Sequence, residues 1–311
     1  MPPGRADLPP PSLYMSVSTG GAQRCHGRDV RDLSVIVCTN RSAVLERFIA
    51  PLAESAKSAV PRCELIVVDD GASPPVASTA CIDRLIRQEA TGLAAARNVG
   101  ADSARGEWLL YCDDDLEFTP DAIRHLWQTR APGKCSVPQV RGLDGHLQNA
   151  FTAHWRRGDL KLERHGEPIS EVAYPVGACF LIERSTYRQV GGCDERFNSY
   201  GYEDTLLGFS LRRAGVPTVM VSASARHHSH GGVGGPVSPA VRRAVLTNRW
   251  IFTSLALRGR KRATALFFGL PRTTAESLRT RSIEPISGYL RGLRRVVRQK
   301  PRSLHADSHR R

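Results

Sequence analysis

Long apolar runs are missing from this chain. No window of its 311 residues approaches the roughly 18 uninterrupted apolar residues of a membrane span. The opening stretch "MPPGRADLPPPSLYMSVSTGG" has no continuous apolar core, so a secretory signal is not expected. None of the eight cysteines forms a CxxC pair, which leaves little for a zinc reading. Several cysteines sit inside strand-like apolar runs, as buried free thiols of a reducing compartment do. There is no internal repeat. An apolar share of 41% is nevertheless enough for a sizeable core.

Acidic residues are scarce in one region only. Residues 240–311 carry 18 Lys/Arg against 3 Asp/Glu, whereas residues 1–239 carry 26 against 27. The formal charge of +14 is therefore a property of the C-terminal region, not of the body. That region shows no zinc-finger, RNA-recognition or helix-turn-helix signature, so nucleic acid is not the expected partner. It mixes Leu, Phe, Val and Ile with Arg at helical spacing, as an interfacial amphipathic helix does, and a peripheral membrane contact is one reading of it. A solvated helical cap is the other.

Three segments follow from composition. Residues 1–31 are rich in Pro, Gly and Ser without periodicity and read as a disordered arm. Residues 32–235 read as the folded domain, and 236–311 as a basic helical extension. Within the domain "LSVIVCT" (33–39), "ELIVVDD" (64–70) and "EWLLYC" (107–112) are buried strands. A helix with Leu45, Phe48, Ile49 and Leu52 on one face follows the first, with a kink or break expected at Pro51. A further helix is expected at about 77–87, and an Ala-rich one runs up to Gly106. Thr119 and Pro120 read as the cap and first residue of another. Strand and helix alternating in this way predict an α/β fold with a mostly parallel sheet. The stretch 131–175 reads as a loop-rich insertion on the acceptor side.

The third strand ends in Asp113, Asp114 and Asp115. In an extended segment residues i and i+2 point to one side, so Asp113 and Asp115 converge while Asp114 points away. Parallel sheets bind ligands at the carboxyl ends of their strands. Converging carboxylates there suit a hard divalent cation.

The pieces "SVIVCTNR", "ELIVVDDGAS", "GLAAARNVGADSARGEWLLYCDDD", "VGACFLIERSTYRQVGGCDERF" and "YGYEDTLLGFSLRRAG" run in one order over residues 33–232. In that order the chain resembles the family 2 glycosyltransferases of the GT-A fold. The resemblance implies inverting transfer of a sugar from a nucleotide-diphosphate donor, helped by Mn or Mg. It makes Asp115 a direct metal ligand and sets Asp113 near the ribose and the metal. Thr39, Asn40 and Arg41 would lie against the nucleotide, Asp114 beside it, and one of Asp69 and Asp70 would bind the base, with position favouring Asp70. Arg97 and Asn98 would face the nucleotide. Asp204 would be the general base, with Glu203 its neighbour. One of His227, His228 and His230 would complete the metal site or touch the diphosphate, with His228 and His230 expected as metal ligands.

The processive members of the family carry QxxRW and membrane spans. Here "TNRW" keeps only Arg249 and Trp250, so single-sugar transfer is expected. UDP or dTDP is favoured as the nucleotide, and the acceptor would be a glycan, a lipid-linked sugar or a small molecule. The expected location is the cytoplasm or the inner face of the membrane. The competing functions are nucleic-acid binding through the basic region and nucleotide-sugar binding without catalysis.

Overall fold

Apolar residues on both faces of a strand require cover on both sides, and this requirement organises the domain. The computed structural model describes residues 31–156, 159–197, 201–228 and 239–298. The arm 1–30 and the 229–238 segment with His230 lie outside the described residues. Strands β1 (Arg31–Thr39), β2 (Cys63–Asp70), β3 (Arg84–Gln88) and β4 (Gly106–Cys112) are parallel neighbours in the order β3-β2-β1-β4. Beyond β4 the sheet continues through β10 (Cys179–Glu183), β6 (Cys135–Arg141), β11 (Thr218–His227) and β5 (Leu116–Phe118). The strands β10 and β5 run antiparallel to their neighbours, which makes the sheet mixed.

Alternation sorts the core. Val35, Val37, Leu65, Val67 and Leu110 pack on one face beneath α1 (Ser42–Ala59) and α3 (Ala122–Thr129). Ile36, Ile66, Val68, Leu109 and Tyr111 pack on the other with α2 (Leu93–Ser103), α4 (Arg184–Gln189) and α5 (Glu203–Arg213). Gly100 lets α2 lie close, because a Cβ there would stand 2.5 Å from Ile36 Cγ2.

Three local expectations are corrected. The helix expected at about 77–87 does not form; Arg84–Gln88 is instead the edge strand β3, because β2 would otherwise leave a row of N–H and C=O groups unpaired. Pro51 does not break α1, whose buried Leu45, Ile49, Leu52, Ala53 and Ala56 hold both halves to the sheet. Thr119 does not cap α3 with its side chain, although its carbonyl accepts from Ala122 N. Its hydroxyl and N–H both donate to Ser224 O on β11, and α3 starts at Ala122 after Asp121, which takes φ 66°.

The stretch 131–175 contributes the central strand β6, a hairpin of β7 (Phe151–Arg156) and β8 (Asp159–Arg164), and the short β9 (Glu171–Val172). Four helices follow: α6 (Pro239–Ala256), α7 (Gly259–Phe267), α8 (Gly269–Thr280) and α9 (Glu284–Arg298). Ile251 and Phe252 of α6 share a cluster with Phe197 and Leu206, and Trp155 of the hairpin stacks on Phe252 at 5.7 Å. No described helix is long and apolar enough to cross a membrane.

Candidate active site

Three strand ends converge at one edge of the sheet. Thr39 ends β1, Asp70 ends β2, and the Asp113–Asp115 run follows β4. They line a cavity of about 490 Å³ together with Asn40, Arg41 and Gly92. The antiparallel pairing of β11 with β5 sets His227 opposite Leu116 and so beside Asp115.

Asp113, Asp115 and His227 form the single cluster of metal-binding character among the described residues, their ligand atoms within 4.8 Å of one another. Nε2 of His227 is 3.0 Å from Asp115 Oδ1 and 3.9 Å from Asp113 Oδ2. The ring is oriented from behind by a contact of 2.9 Å between Nδ1 and Gln148 Oε1. Asp115 Oδ2 pairs with Arg41 at 3.1 Å. Asp115 Oδ1 is buried with no hydrogen bond of good geometry, despite the nearby imidazole. A buried carboxylate oxygen in that state, facing a second carboxylate and an imidazole nitrogen, fits a divalent cation with mixed O and N ligands.

The three carboxylates differ electrically. Asp113 is 30% exposed to the cavity but lies deep in the protein, and burial pushes its carboxyl up to about 6 despite Arg97 and His227. Burial also acts on Asp115, yet His227 and Arg41 outweigh it and hold the group below the usual range. His227 is raised, because the two carboxylates overcome the opposing effect of burial. Asp114 turns the other way, accepts from the Thr39 hydroxyl and pairs with Arg41. The three residues form the turn between β4 and β5, not a continued strand, so turn geometry sets where each carboxylate points.

The metal expectation for histidine is corrected in one respect. His228 is not in the cluster: its Nε2 meets Glu117 Oε2 at 2.7 Å and its ring lies 4.9 Å from Phe48. The imidazole at the carboxylates is that of His227.

The two aspartates at the end of β2 have different tasks. Asp69 accepts the N–H groups of Ala72 and Val76, so it braces the following loop and does not line the cavity. Asp70 does line it. Its Oδ1 accepts from Gln88 and Thr91, and its Oδ2 from Gly92 N at 2.9 Å.

Arg97 and Asn98 are both buried but look in different directions, as neighbours about 100° apart on a helix must. Arg97 reaches Gly177 O at 2.9 Å, Glu203 Oε1 at 3.2 Å and Asp113 Oδ1 at 3.8 Å. Asn98 turns into the core, where it bonds Cys193 O, Cys193 N and the Tyr187 hydroxyl. Asn98 therefore ties α2 to the loop after α4 and does not face the cavity, which corrects the expectation for it.

A second cavity, of about 520 Å³, shares Leu93, Asp113 and His227 with the first. Asp204 stands on its wall at the start of α5, where a carboxylate complements the helix dipole. Its Oδ1 accepts from Thr205 N and Oγ1, and its Oδ2 from Gly177 N at 3.0 Å. A carboxylate offers about four acceptor positions, so one remains on Oδ2. Glu203 beside it is buried; burial, reinforced by Asp204, pushes it up to about 7. The apolar wall opposite comes from Phe151, Leu160, Val176 and Phe252. Sequence reasoning missed Gln148 and Tyr174, which come from a stretch without a motif, and did not single out Gly177 within "VGACFL" or Phe252 just after "TNRW". Arg249, noticed in "TNRW", lines this cavity and pairs with Asp159 at 3.0 Å.

The chain matches the sequence profile of Glycosyl transferase family 2 over residues 34–191, and it belongs to that family. It is 29% identical over 145 residues to the N-acetylglucosaminyl-diphospho-decaprenol L-rhamnosyltransferase of Mycobacterium tuberculosis, covering 39% of this chain and 47% of that protein. It is 28% identical over 207 residues to the pre-mycofactocin glycosyltransferase of the same species, covering 61% of this chain and 41% of the other. The chain thus spans about half the length, or less, of these curated relatives. Residues 1–349 of S. aureus TarS share the fold, with a TM-score of 0.51 at 16% identity over 86% of this chain and 80% of that one. The same part of TarS, solved in complex with UDP-GlcNAc, gives 0.50 at 15% identity over 84% and 79%.

Proposed function

We propose that this protein transfers one sugar from a nucleoside-diphosphate sugar to an acceptor hydroxyl, with inversion at the anomeric carbon. The observation that carries this reading is the meeting of two cavities at Asp113 and His227, one ending in the carboxylate-imidazole cluster and the other holding Asp204. A donor in the first cavity would present its anomeric carbon at the shared wall, and an acceptor in the second would approach from the opposite side.

Asp204 takes the acceptor proton on Oδ2 as the acceptor oxygen attacks. The bond from the anomeric carbon to the diphosphate breaks in the same step, so no enzyme nucleophile is needed and configuration inverts. Thr205 and Gly177 hold the carboxylate for this, and Arg97 holds Gly177 from behind. Asp115, Asp113 and His227 would hold Mn or Mg, which offsets the charge developing on the departing diphosphate. Asp70 keeps acceptor capacity on Oδ2 for a nucleobase N–H, which suits the uracil or thymine of UDP or dTDP.

A lipid-linked acceptor suits the apolar wall of the second cavity, and the name of the mycobacterial rhamnosyltransferase specifies a lipid-linked diphosphate acceptor for that relative. Seven free cysteines among the described residues suit a cytoplasmic site of action.

Thermal unfolding with UDP, dTDP and GDP, each with and without Mn, tests the donor assignment. A ligand at a hundred times its Kd adds about 2.7 kcal/mol of stability. A rise in Tm with UDP or dTDP that requires Mn is expected. No rise with any nucleotide would overturn the reading.

A further inference from the structure

Exposed large apolar side chains are concentrated in one place. Of the nine among the described residues, seven lie between 267 and 297, and five of these fall between 267 and 283. Phe267 and Leu278 are 74% and 76% exposed, with Phe268, Leu270 and Ile283 between and beside them. Leu270, Thr274 and Leu278 repeat at i, i+4 and i+8, so they form a stripe along α8, while Gly269, Thr273 and Ser277 make its buried face. Clustered exposure of this kind marks an interaction surface more often than it marks ordinary solvent contact.

Charge says what that surface meets. Residues 257–283 carry seven Lys/Arg and a single acidic residue, Glu276, which lies 3.6 Å from Arg249 on α6. Arg260, Lys261 and Arg262 near the start of α7 are exposed, as are Arg279 and Arg281 at the end of α8. Apolar anchors framed by arginines are the chemistry of a helix lying in the plane of an anionic bilayer surface. Duplex nucleic acid would use the arginines but leave Phe267, Leu278 and Ile283 in water.

We propose that the α7–α8 face docks on an anionic lipid surface, with Phe267, Phe268, Leu270, Leu278 and Ile283 entering the interfacial layer. The proposal rests on this face alone and stands apart from the transfer reading. If that reading also holds, the docking has a consequence. A cavity of about 520 Å³ between Phe268, Trp155 and Lys261 shares Arg272 with a basic groove, and that groove shares Arg249 and Tyr202 with the Asp204 cavity. A lipid-borne acceptor would thus have a basic path from the bilayer surface to the base.

The test is co-sedimentation of the full chain with vesicles of phosphatidylcholine, pure or doped with phosphatidylglycerol, for wild type and for Phe267→Glu/Leu278→Glu. Both positions are open to solvent, and an unchanged Tm verifies that the variant folds. Expected is sedimentation with the doped vesicles that weakens with salt and falls at least tenfold in the variant. Nucleotide-dependent thermal shifts should be the same in both proteins, so failure of docking and failure of the donor assignment are distinguishable. No sedimentation of wild type, equal sedimentation with pure phosphatidylcholine, or full retention by the variant would overturn the proposal. So would self-association through this face, seen by light scattering and lost in the variant without any vesicle binding.

Discussion

Arg97 on α2 and Glu203 at the head of α5 are 106 residues apart in sequence and form a buried ion pair, Nη1 to Oε1 at 3.2 Å. Both residues line the second cavity. Through its other nitrogen the same guanidinium holds Gly177 O and faces Asp113, and Gly177 N holds Asp204. The space for this is tight, since a Cβ on Gly177 would stand 2.4 Å from Arg97 Nη2.

Arg97→Met should therefore cost more than an exposed pair would. It leaves Glu203 buried without its partner, and breaking a buried pair in this way costs about 3–5 kcal/mol. Denaturant unfolding should show that loss, and Arg97→Met/Glu203→Gln should recover part of it. A loss below about 1 kcal/mol, the range of surface pairs, would mean the pair is not the link described.

Gly208 tests the packing of α5 on the wall of the second cavity. A Cβ there would stand 2.2 Å from Tyr174 Cβ and 2.5 Å from Tyr174 Cα, and backbone cannot easily yield. Gly208→Ala should lower stability by about 1–3 kcal/mol although alanine favours helix. A raised Tm would show that α5 sits further from Tyr174.

His227 and His228 are adjacent in sequence and should respond oppositely. His227→Ala and Asp115→Asn should each remove most of the Mn-dependent thermal shift with nucleotide, whereas His228→Ala should leave it intact. Gln148→Met, which frees the back of the imidazole, should weaken Mn by about 10–100-fold without abolishing binding. Equal effects of the two histidine variants would contradict the assignment of the cluster.

The strands β1, β2 and β4 were legible because stretches such as Val35–Val37 and Leu65–Val68 are buried on both faces and read as continuous apolar runs. The choice among the histidines was not. It depends on the register of β11, and that strand shifts register against β6 between Met220 and Ser224, which breaks any alternation counted along the chain. Strand β3 was hidden because pairing with β2, not the pattern of residues 84–88, makes it a strand. Gln148 reaches the site through tertiary packing of a segment that carries no period of its own.

The role of Asp204 is the central claim, and one comparison tests it most directly: turnover and donor Kd measured together for wild type and Asp204→Asn. The asparagine keeps the shape and can still accept from Gly177 N, but it cannot take a proton. Donor Kd should be nearly unchanged, because the first cavity does not include residue 204. Turnover should fall by roughly a hundredfold or more, the usual worth of a positioned base. Near-normal turnover in Asp204→Asn would contradict the account and leave that carboxylate as a brace for the start of α5.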